Sequence, residues 1–133
     1  MDLIEERMQQ LIDRDLPYFL LLCGEQDRNF IVTPPAKPKR EEYVRLLYIA
    51  LAFRLRGAFF CILGEAEHAG LAKTVIDLFA KTGTDLQKIE RWILAFIEKI
   101  QPTSVRELSA SFWQETKAAL LKGGYSPKHW FMA

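Results

Sequence analysis

Glu65 and His68 are the first residues of this 133-residue chain whose types and spacing could do chemistry. Glu-x-x-His places a carboxylate and an imidazole on one helix face, the spacing of two ligands in di-iron carboxylate bundles. Such a site needs a second pair and two further glutamates. The other histidine, His129, has no glutamate three residues before it, so a solvated helix terminus is the expectation. Cys61 shares a helical face with His68 and suggests a nucleophile and its base. Seven residues along a helix separate them by about 10 Å, too far for the hydrogen bond a dyad requires. Cys23 and Cys61 match no metal or redox spacing and read as small buried hydrophobes in a reducing compartment. There is no glycine-rich phosphate loop, dinucleotide fingerprint or nucleophile elbow. The sequence therefore predicts no catalytic residue, no metal, no cofactor and no enzymatic activity.

What remains is the capacity to bind. Tyr125, His129, Trp130, Phe131 and Met132 crowd the last nine residues, and Pro127 prevents a helix from continuing there. An aromatic chain end either packs back over the core or offers an anchor to a partner. The predicted partner-binding residues are Tyr125, His129, Trp130 and Phe131, with Arg54 and Arg56. The expected function is a macromolecular interaction module that binds a protein partner or its own copy through an apolar-aromatic surface. The alternative is a DNA-binding regulator. Residues 85–133 follow the order of a winged helix-turn-helix, with Trp113–Lys122 as the reading helix and the tail as the wing. Lys117, Lys122, Lys128 and Arg106 would then face phosphates. A short turn between Ser109 and Phe112, and Glu115 on the reading helix, count against it.

The elements that must position these residues are helical. Tyr43–Leu63, YVRLLYIALAFRLRGAFFCIL, is a long proline-free apolar run interrupted by Arg45, Arg54, Arg56 and Gly57. It predicts one long central helix, about 41–63, apolar on nearly every side and wrapped by neighbours. A membrane span is the rival reading. Its three arginines cost more than its apolar side chains return, and they fall on opposing faces, so no membrane insertion is expected. Around that helix the pattern gives an all-α, single-domain bundle of five to six helices. The expected divisions are a helical arm (1–32), a Pro/Lys linker (33–40), a helical core (41–122) and an aromatic tail (123–133).

Within the arm, a first helix is expected over Asp2–Asp13, with Leu3, Ile4, Met8, Leu11 and Ile12 at helical spacing and Asp2 and Glu5 as its cap. Pro17 should open a second helix ending at Gly24, a buried strand being the alternative for residues 18–23. Phe30-Ile31-Val32 reads as extended. TPPAKPKR, with three prolines, forbids regular hydrogen bonding. Beyond the central helix, Leu71, Val75, Ile76 and Phe79 mark a helix closed by Gly83. Thr84–Gln87 then caps one carrying Leu86, Ile89, Ile93, Phe96, Ile97 and Ile100. After Pro102, Ser104 with Glu107 caps a last helix with Val105, Leu108, Phe112, Ala119 and Leu120 inward, ended by Gly123-Gly124. Composition is that of a globular chain, 50% apolar and 26% charged. A net charge of +1 gives no strong footprint for nucleic acid or anionic lipid. The acidic N-terminus is neither a signal nor a transit sequence, and a cytoplasmic location is expected.

Overall fold

The computed structural model describes residues 3–23, 25–33, 35–82, 85–100 and 103–123. Among them are seven helices and no strand: α1 (Leu3–Leu22), α2 (Glu25–Val32), α3 (Arg40–Ala52), α4 (Arg56–His68), α5 (Ala72–Thr82), α6 (Leu86–Ile97) and α7 (Thr103–Gly123). The fold is all-α, as the periodicity predicts. No helix among the described residues is long and apolar enough to cross a membrane. Residues 35–39 carry no helix and lead directly into α3.

The apolar run forms two helices, where one is expected. It breaks at Phe53-Arg54-Leu55. The Arg54 amide donates to the Leu51 carbonyl and the Leu55 amide to the Ala50 carbonyl, the paired bonds of a Schellman ending. Arg54 takes the left-handed position of that motif at φ 59°, a place usually held by glycine. The end of α4 repeats the motif with the usual residue. Gly70 sits at φ 75°, its amide bonded to the Glu67 carbonyl and that of Leu71 to Ala66. α4 therefore continues through Gly64, five residues past the expected end of the run.

The shorter α3 is the centre. It packs on α4, α5, α6 and α7, and Tyr43, Val44 and every residue from Leu46 to Ala52 are buried. The Tyr48 hydroxyl donates to the Phe79 carbonyl of α5, and its ring stacks on Phe79 with centroids 4.4 Å apart. Burial pushes the Tyr48 phenol up. On α6 the predicted stripe is inward, with Ile89, Ile93, Phe96, Ile97 and Ile100 all buried.

Tertiary packing overrides local signals in the first two helices. α1 runs through Pro17, because the residues around it are fixed against α4. Phe19 and Cys23 are buried there, and so is Asp15, whose Oδ2 accepts from the Gly57 amide at 3.0 Å. Leu55 has no capping side chain of its own, so α1 supplies the N-terminal cap of α4. Phe30 and Ile31 are buried on helix α2, where an extended segment is expected; the Phe30 ring meets Tyr43 edge-on at 4.9 Å.

α6 is capped by Asp85, whose side chain accepts from the Lys88 amide. On α7 the buried stripe is Ser109, Trp113, Thr116 and Leu120, while Leu108 is exposed. Both hydroxyls bond back to the carbonyls four residues earlier, Val105 and Phe112, so they enter the core with their polarity satisfied. The expected positions at Asp2, Gly24, Gly83, Thr84, Pro102 and Gly124 lie outside the described residues, as do the side chains of Leu3, Ile4, Glu5, Met8, Leu11 and Ile12.

Candidate cationic-aromatic cleft

Five residues, Lys88, Arg91, Trp92, Ala95 and Lys99, recur at steps of three and four and so share one edge of α6 and the turn that follows it. Together with Asp27 of α2 and Arg45 of α3 they line a cleft of about 380 Å³, floored by Ile49 and Phe96. That is within the size range of ligand-holding clefts. Four cations face one carboxylate, and that carboxylate is already taken: Arg45 Nη2 donates to Asp27 Oδ1. Arg45 Nε is buried without an acceptor.

The cleft has two ends. At the first, the Lys88 ammonium lies 5.4 Å from the centroid of the half-buried Trp92 indole. Glu41 stands near this rim. Its carboxyl is held below the usual range first by its own backbone amide, then by Arg40, with Lys88 contributing at longer reach. At the other end, Arg28, Arg45 and Lys99 act on the Cys23 thiol. Burial, aided by the Asp27 carboxylate, pushes that thiol up to about 12 against their opposing pull. Cys23 is packed in the core, and a raised thiol pKa is the opposite of what a nucleophile needs. Arg91 and Lys99 are exposed and form no ion pair among the described residues.

The residues singled out by sequence lie elsewhere. Arg54 reaches across to α7, pairing with Glu115 at 3.0 Å and resting over the Phe112 ring. Arg56 opens α4 and is half-buried. Tyr125, Lys128, His129, Trp130 and Phe131 lie outside the described residues. Of the phosphate-facing set, Lys117 binds Glu90 at 2.9 Å, and Trp113 Nε1 donates to the same oxygen. These two donors hold the Glu90 carboxyl below the usual range. Arg106 donates twice to the Ile100 carbonyl, closing the end of α6. Lys122 is exposed in the last turn of α7. Residues 103–123 form one unbroken helix, so the turn between Ser109 and Phe112 that the winged-helix order requires is absent.

Glu65 and His68 sit on the wall of a wider cavity of about 710 Å³, opposite Val32, Pro35 and Pro38. No group of three or more His, Cys, Asp or Glu side chains there or elsewhere among the described residues could hold a metal ion. Burial first, and Glu65 second, raise the Cys61 thiol, the opposite of what a nucleophile needs. The α6 cleft was not legible in the sequence. Its cations look ordinary until α2 and α3 bring Asp27 and Arg45 beside them. No protein-family model matches the chain, and no curated protein and no solved structure matches it either. The functional reading accordingly rests on the cleft.

Proposed function

We propose that the chain is a non-enzymatic interaction module that holds an anionic portion of a protein partner in the cleft between α2, α3 and α6. The observation that supports it is the charge imbalance. Arg45, Lys88, Arg91 and Lys99 line one cleft beside the Trp92 indole, and the one carboxylate in the lining is engaged by Arg45. Complementary charge of this kind steers encounter and fixes orientation, and Trp and Arg are the side chains that most often anchor interfaces. The reading moves the binding surface from the aromatic tail to α6. Its two free thiols, Cys23 and Cys61, suit a reducing cytoplasm.

A second copy of the chain is the other partner with specific support, because the first 42 residues carry more acids than bases although the chain as a whole is +1. A photoreactive amino acid placed at Ala95, exposed on the cleft edge, tests the reading in native lysate. Protease-sensitive adducts that disappear when Lys88 and Arg91 are both changed to Glu are expected. Nuclease-sensitive adducts, or adducts indifferent to the charge reversal, would overturn it. Light scattering distinguishes self-association: a dimer that the same reversal dissociates identifies the second copy.

A further inference from the structure

The two ends of the cleft are separated by a distance that constrains what can bridge them. Lys88 and Lys99 are eleven residues apart on α6 and its terminal turn, which is roughly 16 Å along the axis. A single carboxylate or phosphate reaches one end only. An extended chain covers the same distance in about five residues, whereas a helix needs about eleven. Between the ends the lining is apolar, with half-buried Trp92, exposed Ala95 and the buried Phe96 of the floor. Asp27 already occupies one cation at the inner end through Arg45, leaving Lys99 as the free partner there.

Resting on the protein-binding reading above, we propose that the occupant is an extended acidic segment carrying two carboxylates about five residues apart, with an apolar or aromatic residue between them. One carboxylate meets Lys88 and Arg91 at the rim, and the other meets Lys99 at the inner end. The intervening side chain lies along Ala95 against the Trp92 indole. Pairing of both anions is what selects the spacing, since each end alone offers only an exposed ion pair of small worth.

Synthetic fluorescent peptides of one composition, with a central Leu, test this by anisotropy against the full chain. The expected result is that Glu-x4-Glu binds a few-fold tighter than the same residues with the glutamates adjacent, the effect of about one additional exposed ion pair. Lys99→Glu, on an exposed side chain and checked for unchanged helicity, should abolish that preference while leaving the adjacent-glutamate peptide nearly unaffected. Equal binding of all acidic peptides would overturn the spacing and leave the proposed function standing. Tighter binding of a helical peptide with its acids eleven residues apart would overturn the extended conformation. Preference for a single-stranded oligonucleotide of equal charge, or no binding of any peptide together with no protease-sensitive adducts, would overturn both.

Discussion

Arg54 offers the sharpest test of why the apolar run breaks. It holds the left-handed position of the α3 ending at φ 59°, where an L-residue with a Cβ is disfavoured by about 1–2 kcal/mol. Substituting Gly or Ala removes the same Glu115 ion pair and the same contact with Phe112, so the difference between the two variants isolates the backbone. Glycine avoids the Cβ penalty but adds about 0.5–1 kcal/mol of unfolded-state freedom. Arg54→Gly should therefore exceed Arg54→Ala in stability by about 0.5–1 kcal/mol. With a urea slope of about 2 kcal/mol per molar, that gap moves the midpoint by about 0.3–0.5 M. Gly70 supplies the mirror experiment at the matching position of α4. A Cβ there meets nothing within 4 Å and φ is +75°, so Gly70→Ala should lower stability by a similar amount through backbone strain alone. Equilibrium urea unfolding followed by circular dichroism measures all three variants. An Arg54→Ala protein as stable as Arg54→Gly would refute the left-handed ending and favour a helix continuing past residue 53.

Three further outcomes follow from particular contacts. Asp15→Ala should cost about 1–3 kcal/mol in urea unfolding, because it leaves the Gly57 amide without its acceptor at the start of α4; Asp15→Asn, which keeps an acceptor, should cost less. Glu90 is held below the ordinary carboxylate pKa by Lys117 and Trp113. Its contribution is thus present above the unfolded-state value and is lost as pH falls through the folded one. Glu90→Gln should therefore destabilise at neutral pH, and its thermal midpoint should converge with that of the parent as acid is added. Asp27→Asn removes the carboxylate that competes for Arg45 and should tighten acidic-peptide binding several-fold in the anisotropy assay, while lowering the thermal midpoint because Arg45 loses its partner.

Sequence periodicity carried the helix identity and much of the core. The α6 stripe is the clearest instance, since Ile89, Ile93, Phe96, Ile97 and Ile100 are spaced for one face and are buried together. Three features escaped it for physical reasons. The α3 ending uses arginine where composition signals a turn only through glycine. The α1 helix passes Pro17 because Asp15, Phe19 and Cys23 are fixed against the rest of the fold, a tertiary constraint without local trace. On α7, Ser109 and Thr116 look polar in one dimension, yet bonding back to their own helix lets them flank the buried Trp113. The cleft was hidden for a related reason. Lys88, Arg91 and Lys99 decorate α6 in an unremarkable pattern, and only the approach of Asp27 and Arg45 makes their charge unbalanced.

The position of α3 in the chain has a consequence for biosynthesis. This helix leaves the ribosome some seventy residues before the end of α7, one of the elements that wrap it. At about 5–20 residues per second, its apolar sides wait for roughly 4–14 s without their final cover. During that interval α4, joined to it by a tight turn, is the first shield available. Variants that loosen the Arg54 corner should therefore lower soluble yield in the cell more than their equilibrium stability implies.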